Sequence, residues 1–141
     1  MPVRFFKEAV YTRISNRKKL IELIKFLGVI EEKQIGDINV ILVSDLGLLE
    51  INRRYLNHDY FTDIVTFQHP SPLGSISGDL FVSVDRVSDN AVSLNAGFTE
   101  EFARVVIHGV LHLCGYRDKK AVDIKLMRKK ENFYLESLKK L

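Results

Sequence analysis

The sequence predicts an α+β domain in which helices pack on a mixed sheet of about four strands. Three observations carry that expectation. Short runs rich in β-branched and aromatic residues alternate with longer runs of helical period. Two of the strand-like runs, residues 62–67 and 78–83, have only loop-type residues between them, as in a hairpin. The chain of 141 residues shows no repeat, no low-complexity stretch and no second set of elements, so residues 1–141 read as one domain.

Residues 3–6 are a short apolar run of strand type. Asn16 is placed to cap a helix from Arg17 to Leu27, where Leu20, Leu23, Ile24 and Leu27 repeat at helical spacing and Gly28 suits the end. Ile38 to Val43 is apolar except for Asn39 and reads as a strand. Ser44 or Asp45 then caps a helix carrying Leu48, Leu49 and Ile51 to Leu56. Thr62 to Phe67 is the clearest strand by β-branched content. Gly78 to Ser83 is its partner, after a connection of about ten residues that contains His69-Pro70-Ser71-Pro72-Leu73-Gly74. Asp85 or Ser88 starts a helix that Gly97 ends. Thr99 caps the next helix, with Glu100 and Glu101 where the helix dipole favours negative charge. The last helix begins near Ala121, with Ile124, Met127, Tyr134, Leu138 and Leu141 on its buried side.

The penultimate helix carries the chemistry. From Phe102 to Cys114 it is apolar almost all round, which marks a buried helix. Its polar side chains are Arg104, His108 and His112, at i, i+4 and i+8, so they form one stripe. Two imidazoles one turn apart can hold one metal ion between them, and buried imidazoles need a partner. Gly115 follows three residues after His112 and permits a sharp turn. That turn can return Asp118 to the same ion, giving three protein ligands and room for a water, as in catalytic rather than structural zinc. Cys114 lies about 200° round the helix from His112 and reads as core. Gly109 occupies the place where zinc proteases of the His-Glu-x-x-His type carry their general base, so a peptidase lacks its base here.

Composition bounds the rest. At 46% hydrophobic and 28% charged the chain is an ordinary globular one. No apolar run approaches the roughly 18 residues of a membrane helix, and the N-terminal Met1-Pro2-Val3-Arg4-Phe5-Phe6 lacks a signal-peptide layout. One cysteine allows no internal disulfide and suits a reducing cytoplasm. The net charge is +3, but residues 119–141 hold eight Lys or Arg against three Asp or Glu. Such a tail suits a polyanionic partner or a solvated helix face.

The stretch His108-Gly109-Val110-Leu111-His112-Leu113-Cys114-Gly115-Tyr116 closely resembles the signature of the YbeY family of metal-dependent endoribonucleases. Asn52, Tyr55, Thr62–Phe67 and Gly78–Ser83 are similar to further stretches of that family, in the same order and over nearly the whole chain. The resemblance implies a single-strand-specific endoribonuclease that uses one divalent ion, zinc, in 3′-end maturation of the small-subunit (16S) ribosomal RNA and in ribosome quality control. Ribosomal RNA, the small ribosomal subunit and single-stranded RNA are the implied partners, in the cytoplasm. Two positions depart from the family pattern. Asp118 stands for the usual third histidine, and Leu56 for an arginine thought to serve RNA contact or catalysis. His58, or Arg53 and Arg54, are placed to take over part of that arginine's role. The expected site is thus His108, His112 and Asp118 on the metal, with His58 and Asp63 as catalytic candidates. Arg53, Arg54 and Arg104 are the candidate RNA contacts, and Tyr55, Tyr60 or Phe61 could stack bases. The alternative is a non-catalytic ribosome-assembly factor whose metal only fixes the fold.

Overall fold

The computed structural model describes residues 3–141; Met1 and Pro2 of the N-terminal stretch read above lie outside the described residues. In chain order the elements are β1 (Val3–Lys7), α1 (Arg17–Ile30), β2 (Gln34–Val43), α2 (Asp45–Leu56), β3 (Ile64–Gln68) and β4 (Ser75–Ser83). They continue with α3 (Val84–Ser93), α4 (Phe98–Leu113) and α5 (Ala121–Lys139). The sheet order is β1-β2-β4-β3. β1, β2 and β4 are parallel, and β3 is antiparallel to β4. The sheet is therefore mixed because the hairpin β3–β4 adds one reversed edge strand to a parallel core.

One face of this sheet holds the main core. Leu20, Leu23, Ile24 and Leu27 of α1 share it with Phe102, Val106, Ile107, Val110 and Leu111 of α4, all fully buried. Each such side chain removed from water contributes about 1.5–3 kcal/mol. On the other face α2 covers a smaller cluster of Val43, Leu48 and Val65. The close seat of α4 on the hairpin depends on Gly109. A Cβ there would stand 2.7 Å from Ile64, 3.1 Å from Leu80 and 3.2 Å from Thr66. Position 109 thus faces the sheet, and its lack of a side chain brings the histidine helix against the start of β3.

Several boundaries differ from the expectations. α1 runs through Gly28 to Ile30, because Gly28 is buried where a Cβ would meet the Lys33 carbonyl at 2.8 Å. Glu32, at φ 57°, makes the turn instead. Asn16 precedes α1 but its side chain caps nothing among the described residues. β2 and β4 begin earlier than expected, at Gln34 and Ser75, which pair with each other; the hairpin connection shrinks to 69–74. Ser83, not Asp85 or Ser88, caps α3 by accepting from the Arg86 N–H at 3.1 Å. Asn95 rather than Gly97 takes the left-handed turn after it. Gly97 is the N-cap of α4, and Thr99 lies inside that helix. On α5 Ile124 is exposed, Leu141 lies exposed beyond its end, and the buried positions are Met127, Glu131, Tyr134 and Leu135. A carboxylate in that buried stripe signals a specific partner.

Candidate metal centre

His108 and His112 project from the last two turns of α4. The helix closes at Cys114, Gly115 takes φ 107°, and the Tyr116 N–H returns to the Leu111 carbonyl at 3.1 Å. This left-handed turn reverses the chain and delivers Asp118 to the two imidazoles. His108 Nε2 and His112 Nε2 lie 3.0 Å apart, and Asp118 Oδ2 stands 3.1 Å and 3.3 Å from them. Asp118 does not cap α5, whose N-cap is Lys120.

The outer nitrogens fix the tautomers. His108 Nδ1 donates to Glu131 Oε2 at 2.7 Å, and His112 Nδ1 donates to the Tyr116 carbonyl at 2.9 Å. With both Nδ1 atoms protonated, both Nε2 atoms of the neutral rings carry lone pairs aimed at each other and at a carboxylate oxygen. Three acceptors at such distances repel unless a metal ion, or in metal-free protein a proton on His108 Nε2, sits among them. Three corners of a tetrahedron with ligand distances of about 2.0–2.1 Å lie about 3.3 Å apart, close to the spacing found. The donor set fits a divalent ion, and the Glu131–His108 pair is the carboxylate–histidine arrangement that orients metal-ligating imidazoles.

Around this group lies a cavity of about 520 Å³ lined by Asp63, Asn90, Arg104, His108, Asp118 and Glu131. Asp63 precedes β3 and its carboxyl is pushed up from the ordinary range by burial, against the pull of His108 and of two backbone N–H groups. Asn90 of α3 donates to Asp63 Oδ2 at 3.3 Å. Burial also raises the Glu101 carboxyl, against the charge of Arg104. Burial would depress His108, but Glu131 and Asp118 outweigh it and raise the ring's pKa. Glu131 is correspondingly lowered, because the His108 hydrogen bond and charge overcome its burial.

The structure brings together five of the expected residues: His108, His112, Asp118, Asp63 and Arg104. Arg104 is engaged by Glu131 Oε1 at 3.2 Å and Glu101 at 3.3 Å. His58 does not line this cavity; it is exposed, with Nδ1 3.0 Å from the Tyr60 hydroxyl and its ring stacked on Tyr60. Arg53 pairs with Asp59, and Arg54 with Glu50 at 3.1 Å. Arg54 and Tyr55 instead line a cavity of about 780 Å³ that also takes in His69, Asp79 and Phe81. Phe61 lies under the Arg86 guanidinium.

Sequence reasoning missed Glu131 and Asn90, whereas Arg128 belongs to the basic 119–141 tail already read as suited to a polyanionic partner. Glu131 left a signal, since it follows Met127 at i+4 on the buried stripe of α5. Arg128 lines the same cavity with a side chain 57% exposed, 3.6 Å from Glu131. Of the cavity's two arginines it is the less engaged.

Residues 7–139 match the model of a protein family described as Endoribonuclease YbeY. A protein of that name from Flavobacterium johnsoniae is 47% identical over 119 residues, which is 84% of this chain and 85% of the relative. Another from Cytophaga hutchinsonii is 41% identical over 136 residues, covering 96% and 94% of the two chains. The solution structure of TM1509 from Thermotoga maritima matches with a TM-score of 0.59 and 34% identity, over 96% of this chain and 88% of that one.

Proposed function

We propose, from the premise that the chain belongs to the Endoribonuclease YbeY family, that it hydrolyses RNA phosphodiester bonds with one divalent ion. The observation that carries this reading is the convergence of three ligand atoms, their outer nitrogens already engaged, on a cavity that also holds Asp63. His108, His112 and Asp118 would hold the ion, and two imidazoles with one carboxylate suit zinc. Such an ion supplies Lewis-acid polarisation of phosphate oxygens and neutralises their charge.

The chain's own groups do the rest. Asp63 accepts a proton from the attacking water as the water oxygen bonds to phosphorus. The bond from phosphorus to the leaving ribose oxygen breaks, and that oxygen takes its proton from solvent. Burial raises the basicity of Asp63 while a cation beside it acts the other way. Asn90 holds that carboxylate in place. Glu131 keeps the proton on His108 Nδ1, so Nε2 stays a lone-pair donor. Arg128 turns from Glu131 to the phosphate, and Arg104 remains the buried cation that balances Glu101 and Glu131. Arg53, Arg54 and His58, with Tyr60, contact flanking nucleotides beyond the cavity.

The substrate is single-stranded RNA, and the setting is maturation of small-subunit ribosomal RNA in the cytoplasm. Among the described residues no helix is long and apolar enough to cross a membrane. The test is cleavage of a single-stranded RNA by purified protein. Activity should be lost with chelator, restored by zinc, and absent in His112→Ala. RNA binding without cleavage by the zinc-loaded wild type would favour the assembly-factor reading.

A further inference from the structure

Glu31, the C-cap residue of α1, ends 7% exposed in a pocket of hydrogen-bond donors. Its Oε1 accepts from the Tyr116 hydroxyl at 2.5 Å. Its Oε2 accepts from the Tyr134 hydroxyl at 2.5 Å and from Lys130 Nζ at 3.0 Å. The Lys130 ammonium also lies 5.4 Å over the Tyr116 ring. A carboxylate with three donors is well satisfied, and burial alone would have raised its pKa, which these bonds lower instead.

Tyr116 is the link to the metal centre. Gly115 and Arg117 on either side of it are exposed, while Tyr116 is half-buried. The side chain that anchors this turn is therefore Tyr116, and Glu31 holds its far end. Its carbonyl orients His112 Nδ1 at 2.9 Å, and the chain reaches Asp118 two residues later. Gly115, at φ 107°, makes the turn possible but supplies no side chain to hold it.

We propose that Glu31 is a positioning residue of the metal centre: by holding the Tyr116 hydroxyl it fixes the turn that orients His112 and presents Asp118. The proposal rests on the metal reading above and adds to it a group 85 residues from Tyr116 in sequence. It does not touch the ion or the substrate.

The test is a double-mutant cycle of Glu31→Gln and Tyr116→Phe, with Tyr134→Phe as the control that removes a hydroxyl from the same carboxylate on the α5 side. Zinc affinity is read by competition with a chromophoric chelator, and stability by thermal unfolding. Outer-shell partners of metal ligands typically contribute about 10–100-fold in affinity, and one link further out we expect about three- to tenfold. Glu31→Gln and Tyr116→Phe should each weaken zinc binding by that factor, and the double variant should be no worse than either. Tyr134→Phe should lower thermal stability while keeping zinc affinity within about twofold of wild type. Additive losses, unchanged affinity in Tyr116→Phe, or an equal loss in Tyr134→Phe would overturn the proposal.

A second readout needs no metal. The ¹⁵N shifts of the His112 ring in metal-free protein should report the Nδ1–H tautomer in wild type and a mixture in Tyr116→Phe and Glu31→Gln. An unchanged tautomer would overturn the proposal even if wild type took up no zinc, a result that would by itself overturn the functional reading.

Discussion

Replacing Glu131 probes the part of the centre that lies farthest from the signature motif. Its carboxylate is 5% exposed, accepts from His108 Nδ1 at 2.7 Å and pairs with Arg104 at 3.2 Å. Glu131→Gln keeps the volume and one acceptor, but its amide N–H then faces the Arg104 guanidinium, donor against donor. Exchanging this anionic outer-shell partner of His108 for a neutral one, set against Arg104, should weaken zinc binding about 10–100-fold, or about 1.4–2.7 kcal/mol. Glu131→Ala should go further and destabilise the fold by about 3 kcal/mol. That is the lower end of the cost of breaking a buried pair, since Arg104 retains Glu101. At this chain length it corresponds to about 10 °C in Tm. The effect has a pH signature in metal-free protein. The folded Glu131 pKa lies below its unfolded value, so its contribution is present above about pH 4.3 and is lost as pH falls through the folded value. His108 is raised, so its share is present below about pH 6.5 and is lost as pH rises through its folded value. Chelator competition and thermal melts from acid to neutral pH would measure both. Zinc affinity in Glu131→Gln within about twofold of wild type, with the same acid limb of stability, would refute the reasoning.

Asp118→Ala and Asp118→Asn should each reduce zinc affinity by more than about 100-fold, beyond the loss of an outer-shell partner, with the metal-free fold retained; elemental analysis of wild type should give one ion per chain. Asp63→Asn should abolish most cleavage, by about 10²–10⁴-fold, while raising the thermal stability of metal-free protein at neutral pH. The sign follows because the raised Asp63 pKa means that its ionised form opposes folding above that value; cleavage at the wild-type rate would remove Asp63 from the reaction. Arg128→Glu should weaken single-stranded RNA binding and flatten its salt dependence more than Arg53→Glu does, as filter binding at several ionic strengths would show. Equal effects would place the phosphate contact outside the cavity.

The features legible in the sequence are those that depend on neighbours in the chain. The His108–His112 spacing, the Gly115 turn and the return of Asp118 are set within one helix end, where the helical repeat and a glycine at positive φ dictate geometry. A cap at Ser44 or Asp45 was legible for the same reason, and it is the Ser44 hydroxyl that bonds an amide three residues on. Asn16 was misleading because cap propensity states what a side chain can do, and packing decides whether it does.

Which distant groups complete the centre follows from how the elements pack. Glu131 meets His108 across 23 positions of chain because α5 packs on α4, and Asn90 of α3 meets Asp63, at the start of β3, across 27. Arg104 shares the histidine stripe, and the periodicity that placed it there is silent on the two carboxylates that engage it. His58, Arg53 and Arg54 lie close in sequence to Asp63, yet α2, on the other face of the sheet, keeps its arginines outside the metal cavity, and His58 in the loop after it stays outside too. Periodicity fixes the direction in which a side chain leaves its own element, whereas its partner is fixed by which elements the buried apolar surface brings together.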